Sequence, residues 1–313
     1  MRIIDRSIMR VNRFQQRHAW AGFPYAVIKK YGDDQAGYQG ALVTYYAFLS
    51  LFPLLIVATS GLQLLFKKNA HLRARLLLSI THYFPIIGNE LQNNLHGRGR
   101  TGITLLLGAV VALYGARGVA DVSRNTFNNF WRVPKHERAG FFPATVQSLS
   151  MILIGGVGLF VTGFLSSYAT SLGHGVAIKV LSTGISLVIL VAVFFCIFKI
   201  GTSSNVVTRK DAQLAAVLAA IGVQILQSFG GYLITHELKN LNTLYGAFSL
   251  VLCLLFWLYL QVEVVLYAVE ATTVAQFQLW PRSLTSELTS QDKRAYQLHA
   301  EEQSLRLPRK RRA

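Results

Sequence analysis

Six stretches of the chain are long and apolar enough to cross a lipid bilayer as helices. Crossing the hydrocarbon layer takes about 20 predominantly apolar residues in a helix, and few charged residues interrupt each stretch. The predicted spans cover residues 41–66, 102–120, 145–168, 176–200, 212–235 and 244–271. This pattern predicts an all-α fold, a polytopic membrane helix bundle, with residues 41–271 as its transmembrane domain.

The distribution of basic residues predicts how this bundle is oriented. Six spans place both termini on one side, together with the loops after the second and fourth spans. That side carries 21 Lys and Arg residues, against 7 on the other. Because cytoplasmic loops hold the excess of Lys and Arg, we expect both termini in the cytoplasm.

Residues 1–40 form a basic N-terminal region that begins with an amphipathic helical pattern. Five arginines recur every three or four residues and therefore share one helical stripe, with apolar residues across from it. They are Arg2, Arg6, Arg10, Arg13 and Arg17. Since such a helix can bury its apolar stripe while its arginines meet acidic headgroups, we predict an in-plane membrane anchor. A cytosolic cap that packs on other loops is the alternative.

A second amphipathic helix is predicted in the first external loop. The segment HLRARLLLSITHYF starts at His71 and is too short to cross the bilayer. We predict that it lies at the outer interface. A solvated helix packed on the bundle is an equally good interpretation.

Composition supports the membrane assignment and limits the partners. Of the 313 residues 52% are apolar and 14% charged, with a mean hydropathy of +0.38, whereas soluble domains carry about 25% charged residues. The net charge is +17, and the basic residues flank the apolar spans. They therefore indicate anionic lipid headgroups as partners and no nucleic acid.

Cys196 and Cys253 lie in apolar runs, and we predict that both are reduced. Residues 272–313 are polar and basic, and we predict a disordered cytoplasmic tail.

Polar residues inside the spans are the candidate binding site. Charged groups in hydrocarbon are costly and therefore point to function. Pairing lowers that cost, so we expect Arg117 to pair with Glu263, or Lys199 with Glu270. We predict a polar cavity for an anionic headgroup or a coupling proton, lined by Arg117, Lys199, Gln224, Gln227, Glu263 and Glu270. Snorkelling to the interface and hydrogen bonds between helices are the alternative.

Enzyme chemistry finds no support in the sequence. None of the eight histidines has the i, i+2 or i, i+4 spacing, with neighbouring acids, that a metal-dependent hydrolase requires. A glycine-rich phosphate loop and a G-x-S-x-G elbow are also absent. We therefore predict no catalytic residue, no metal and no cofactor.

Five short motifs occur along the chain: ALVTYYAFLSLFPLL at residues 41–55, YGARG at 114–118, FWRV at 130–133, VTRKDA at 207–212 and YGAF at 245–248. By these motifs, of which the first is the most specific and the others are looser but in family order, the chain resembles the YihY/BrkB family of bacterial inner-membrane proteins over roughly residues 20–280. The family's last span often closes with Gly-Ala-Glu, where this chain has Ala268-Val269-Glu270. The resemblance implies a location in the bacterial cytoplasmic membrane and a transporter-like architecture. An old label for the family, ribonuclease BN, is not supported by the residues.

Two function hypotheses follow from these observations. The first is a transporter or flippase-like exporter of a lipid or an anionic envelope component. The second is a non-transporting scaffold for envelope biogenesis that acts through its basic ends. Membrane lipids with anionic headgroups are the expected partners, and a homo-oligomer stays open.

Overall fold

The computed structural model describes residues 2–65, 102–171, 176–202, 206–245, 248–285 and 288–306, and within these ranges the regular structure is helical, without strands. A 3-10 turn, Lys135–Glu137, follows the fourth helix. The helices are α1 (Arg2–Arg17), α2 (Ala19–Asp33), α3 (Ala36–Leu65), α4 (Gly102–Phe130), α5 (Phe141–Ser171), α6 (Val176–Gly201), α7 (Arg209–Tyr245), α8 (Phe248–Gln276) and α9 (Ser290–Arg306). The predicted all-α bundle is confirmed.

Each predicted span coincides with one helix, from α3 to α8. Among the described residues, four helical segments are long and apolar enough to cross a membrane: Phe141–Leu165, Val180–Gly201, Arg209–Gly230 and Val251–Gln276. The helices continue beyond the apolar stretches, as α4 does from residue 120 to Phe130. The apolar pattern therefore marks the part of each helix suited to hydrocarbon and not the full helix. The amphipathic helix predicted from His71 lies outside the described residues.

The helix α8 is the element around which the functional region is built. It lies along α7 and also contacts α3 and α2, while α3 runs along α4 and α6 packs between α5 and α7. The largest buried cluster includes Trp131, Phe198 and Leu266, and one face of α7 adds only alanines to it, among them Ala215 and Ala219. Because alanine side chains are small, α7 can approach its neighbours closely.

The two ends of the chain pack together at one end of the bundle. Ala26 and Val27 of α2 share a buried cluster with Val274, Leu279 and Ala295. The N-terminal region, predicted as one basic segment, holds two helices, α1 and α2.

The prediction that residues 272–313 form a disordered tail is wrong for α9 and the segment that leads to it. Arg282 and Asp292 are fully buried, and both bind side chains of α2. The composition of the tail is polar, but its buried charges, Arg282 and Asp292, bind partners more than 240 residues earlier in the chain.

Candidate functional site

Four charged side chains form a buried cluster, which we call the ion quartet. Lys30 Nζ of α2 lies 2.7 Å from Glu270 Oε2 of α8 and also contacts the carboxylate of Asp34. Arg132 Nη2 lies 2.7 Å from Asp34 Oδ1. Lys30 is 2% exposed and Glu270 is fully buried. Two cations face two carboxylates, and their attraction offsets part of the cost of removing them from water.

The C-terminal end of α4 positions Arg132. Its φ of 57° lies in the left-handed region, which is uncommon for a residue other than glycine. The Val133 N–H donates to the Asn128 carbonyl at 2.9 Å and the Arg132 N–H to the Asn129 carbonyl at 3.1 Å, the bonds of a Schellman helix end. The turn buries Trp131 completely. The FWRV segment therefore supplies both a core anchor and one cation of the quartet.

A third carboxylate, Glu263, lies on α8 seven residues before Glu270. It is the thirteenth of the 26 residues in the span Val251–Gln276, and it is 9% exposed. The Tyr31 hydroxyl donates to Glu263 Oε2, and the Tyr259 hydroxyl also faces this carboxylate. In the described part of the chain no Lys or Arg contacts it, so Glu263 is held by hydroxyl groups and not by a cation.

Tyr31 connects Glu263 to the ion quartet. It follows Lys30 in α2, and its ring stacks on Tyr267 of α8 with centroids 4.3 Å apart. Burial and then the hydrogen bond to Glu263 raise the pKa of Tyr31 far above its usual value. Its hydroxyl therefore stays protonated and remains a hydrogen-bond donor at physiological pH.

The two glutamates retain acceptor capacity. Glu263 Oε1 and Glu270 Oε1 are both buried and make no hydrogen bond within the described residues, although buried polar atoms are nearly always bonded. A Cβ atom on Gly40 of α3 would lie 2.5 Å from Glu263 Oε1. Glycine at position 40 is therefore what allows α3 to pack beside this oxygen.

The structure pairs the predicted site residues differently from the expectation. Arg117 Nε lies 3.4 Å from Asp121 Oδ2, and Arg117 Nη2 donates to Thr145 Oγ1 at 3.1 Å. Lys199 is exposed and donates to the Val207 carbonyl at 3.3 Å. Both expected ion pairs, Arg117 with Glu263 and Lys199 with Glu270, are therefore wrong, because α2 supplies the partners of the two glutamates.

The two predicted glutamines lie on α7. Gln224 and Gln227 are partly buried, and the Ser228 hydroxyl donates to the Gln224 carbonyl at 2.9 Å. Within the residues that the structure describes, neither side-chain amide bonds to Glu263 or Glu270. Of the six predicted cavity residues, the structure thus joins only the two glutamates to the cluster around α2.

A second set of buried charges, which we call the terminal network, joins the chain ends. Arg282 Nε lies 2.6 Å from Asp292 Oδ1 and Arg282 Nη2 lies 2.8 Å from Asp33 Oδ2. Lys29 Nζ lies 2.9 Å from Asp292 Oδ1. Burial alone would raise the pKa of Asp292, but hydrogen bonds from Arg282, the Ser283 N–H, Lys29 and Thr289 outweigh it and hold that pKa well below its usual range.

The predicted membrane-facing arginines lie on α1. The side chains of Arg10, Arg13 and Arg17 are exposed, and Arg2 and Arg6 belong to the same helix. Apolar side chains nearby are exposed as well, among them Phe14 and Trp20, the latter to 71%. Such a surface is suited to a membrane interface.

Sequence reasoning missed the residues of α2 and of the α4 end. Lys30 and Asp34 are four residues apart just before the first span, a spacing that places both on one helix face. That spacing could have indicated that Lys30 pairs with Asp34. Arg132 belongs to the FWRV motif, but nothing in that motif indicates that its arginine pairs with Asp34.

Comparison with known proteins identifies the family. A family model described as virulence factor BrkB matches residues 27–288, most of the chain. The chain belongs to the BrkB family. The residues that form the ion quartet and Glu263 all lie within the matched range, and the resemblance expected from the sequence is confirmed.

Relatives of this BrkB family chain are named as membrane proteins. A UPF0761 membrane protein of Psychrobacter sp. (strain PRwf-1) is 25% identical over 286 residues, 85% of this chain and 51% of the relative. One of Xanthomonas oryzae pv. oryzae (strain PXO99A) is 26% identical over 282 residues, 87% of this chain and 65% of the relative. The chain thus spans about half to two thirds of the length of these relatives. No solved structure matches it.

Proposed function

We propose that this membrane protein is a transporter or flippase-like exporter of the bacterial cytoplasmic membrane that moves an anionic amphiphile, such as an envelope lipid. The observation that carries the proposal is the ion quartet, in which Lys30 is almost completely buried against Glu270 of the last span. Charges inside a membrane bundle are expensive and mark substrate or ion pathways.

The chemistry of the quartet fits an anionic substrate. Arg132 and Lys30 are cations that bind phosphate or carboxylate groups, and each is held by a carboxylate that an anion can replace. Glu263, with Tyr31 and Tyr259 against it, places further polar groups along α8 toward the middle of its span. An anionic headgroup that displaces Asp34 from Arg132 would have a polar route into the bundle.

Transport of a labelled lipid by purified protein in liposomes tests this proposal. We expect the protein to move fluorescent phosphatidylglycerol between leaflets faster than empty vesicles do, and Arg132→Gln to slow this movement about tenfold, the effect of losing one charge-assisted hydrogen bond. Lys199→Gln is the matched control, because Lys199 is exposed and donates to a backbone carbonyl, that of Val207. Movement no faster than in empty vesicles would contradict the proposal.

A role for Arg117 is tested in the same assay. Arg117 is 39% exposed at its side chain and binds Asp121, so it belongs to a different polar group from the quartet. If the predicted cavity extends to α4, Arg117→Ala should slow lipid movement as Arg132→Gln does. Wild-type rates for Arg117→Ala would restrict the pathway to the region around α2 and α8.

The second candidate function is a non-transporting scaffold for envelope biogenesis. It is favoured by the terminal network, which folds the two ends of the chain into one surface with exposed side chains such as Lys293 and Tyr296. Replacing both by Lys293→Glu and Tyr296→Ser should abolish the function of a scaffold in cells. A transporter should keep its activity in vesicles with the same substitutions.

A further inference from the structure

A cleft lies between α2, the end of α8 and α9, separate from the ion quartet. Its volume is about 600 Å³, within the range of small-molecule and cofactor pockets. Its lining includes Phe23, Gln278, Trp280, Ser290, Gln291 and Arg294. These residues come from both ends of the chain, so the cleft exists because the terminal network holds the ends together.

Within the part of the chain that the structure describes, the cation of the cleft has no carboxylate partner. Arg294 is exposed, and among the described residues no carboxylate pairs with it. The other cations nearby, Lys29 and Arg282, are held by Asp292 and Asp33. The remaining polar groups of the lining are neutral amides and a hydroxyl. As far as the described residues go, the cleft therefore offers a guanidinium without a carboxylate partner, together with several neutral hydrogen-bonding groups, which suits an anion.

Two aromatic rings belong to the lining of the cleft. Phe23 and Trp280 meet edge to face, with ring centroids 6.4 Å apart. The chain turns between α8 and Trp280 at Gln278, whose φ of 52° is left-handed, and the Leu279 N–H donates to the Val274 carbonyl at 3.0 Å. This turn brings Trp280 to Phe23, so that the two rings give the cleft an apolar part of its lining beside Arg294.

The position of the cleft selects its ligand. The candidate span of α8 ends at Gln276, so Gln278 and Trp280 come directly after the last residues suited to hydrocarbon. Trp side chains are enriched at this depth, level with the headgroups. A phospholipid with its headgroup at this depth is anionic at its phosphate and apolar below it, which matches a lining of one arginine and two aromatic rings.

We infer that this cleft binds the headgroup of an anionic membrane phospholipid, with Arg294 on the phosphate and with Phe23 and Trp280 against the glycerol and upper acyl chains. The bound lipid bridges α2 and α9 and ties the joined chain ends to the membrane surface. The site is distinct from the ion quartet and does not depend on transport.

Quenching of Trp280 fluorescence by brominated lipids tests the inference on the full chain in vesicles. The contribution of Trp280 is the difference between the quenching measured for the protein and the quenching measured for its Trp280→Phe variant. We expect brominated phosphatidylglycerol to quench this signal at a several-fold lower mole fraction than brominated phosphatidylcholine. Arg294→Gln should reduce that preference about fivefold to tenfold, as expected for loss of a charge-assisted hydrogen bond.

Lys293→Gln is the matched control, since Lys293 is the exposed basic neighbour of Arg294 and does not line the cleft. It should leave the lipid preference unchanged. Equal quenching by both lipids, or equal effects of the Lys293 and Arg294 variants, would overturn the inference. Relief of quenching by millimolar glycerol 3-phosphate would overturn it too and assign the cleft to a soluble phosphate ester.

Discussion

At the scale of single residues, buried charges are satisfied by partners far away in sequence. Lys30 and Glu270 are 240 residues apart; without Lys30 the carboxylate of Glu270 would lose its cation, and without Glu270 Lys30 would keep only Asp34. Hydrophobic replacement of a whole buried pair is often tolerated, but removal of one partner is strongly destabilising. The ion quartet therefore makes a specific prediction about stability.

Glu270→Gln should destabilise the protein by about 3 kcal/mol or more, because it leaves Lys30 buried with less compensation. Thermal unfolding in detergent measures the effect. The double variant Lys30→Met, Glu270→Met should recover part of the loss, since both charges are then gone. Lys199→Met should stay within about 0.5 kcal/mol of the wild type, as is usual for surface positions. A loss in Lys199→Met as large as that in Glu270→Gln would refute the assignment.

At the scale of helices, close approach depends on small residues at the contacts. Gly40 of α3 faces Glu263 of α8, and Gly115 of α4 faces Ser50 of α3, where an added Cβ would lie 2.6 Å from Ser50 Cβ. Such contacts let the polar groups of α8 be covered by backbone, which excludes lipid from them.

Gly40→Ala should push α3 away from Glu263 and destabilise the protein by about 1–3 kcal/mol, the usual cost of overpacking. Gly32→Ala is the control, because nothing lies within 4 Å of a Cβ at that position and alanine favours a helix over glycine. The unfolding temperature of Gly40→Ala should therefore fall, whereas that of Gly32→Ala should rise or stay unchanged. Equal behaviour of both variants would show that the α3–α8 contact is not tight.

The start of α9 is another element whose stability can be tested. Asp292 and Thr289 form a reciprocal cap, with the Asp292 N–H 3.1 Å from Thr289 Oγ1 and the Thr289 N–H 3.1 Å from Asp292 Oδ2. Because this is the pattern of a capping box, Asp292 both begins the helix and anchors it to the terminal network.

Acid should weaken this anchor. The pKa of Asp292 is lower in the folded protein than in the unfolded chain, so its stabilisation is complete above about pH 4 and is lost as the pH falls below that value. Asp292→Asn should lower stability by about 3 kcal/mol at neutral pH and make unfolding less sensitive to acid. Unfolding temperatures recorded between about pH 6 and pH 3 check this, with Glu137→Gln as the exposed control. The prediction fails if wild type and Asp292→Asn respond to acid alike.

At the scale of the whole molecule, the terminal network fixes a topological relation. Arg282 contacts Asp33, so the segments before α3 and after α8 lie at the same end of the bundle. That arrangement agrees with an even number of crossings. The excess of basic residues predicts that this end faces the cytoplasm.

Cysteine labelling in cells tests the topology. In a background with Cys196→Ser and Cys253→Ser, cysteines at the exposed positions Trp20 and Tyr296 should react with a membrane-impermeant maleimide only after the cytoplasmic side is opened. Both positions should behave alike, because the network joins their segments. Labelling of one position from the outside and of the other only from the cytoplasmic side would contradict the fold.

The sequence predicted where the helices lie better than it predicted which side chains pair between them. Hydropathy located the six long helices because burial in hydrocarbon is a local property of each stretch. The partners of Glu263 and Glu270 could not be found in this way, since Tyr31 and Lys30 lie in α2, outside every apolar span. The tail was misjudged for the same reason, because Asp292 becomes ordered through contacts with Lys29 that composition does not reveal.

The terminal network also has a consequence for biosynthesis. Lys29 and Asp33 are synthesised before α3, whereas Arg282 and Asp292 are synthesised after α8. The terminal network therefore forms only once residue 292 is present, and a product that stops short of it keeps Lys29 without the carboxylate of Asp292, whereas Arg282 retains Asp33. Because removal of one partner of a buried ion pair is destabilising, we expect such a shortened product to be less stable than a chain that includes α9.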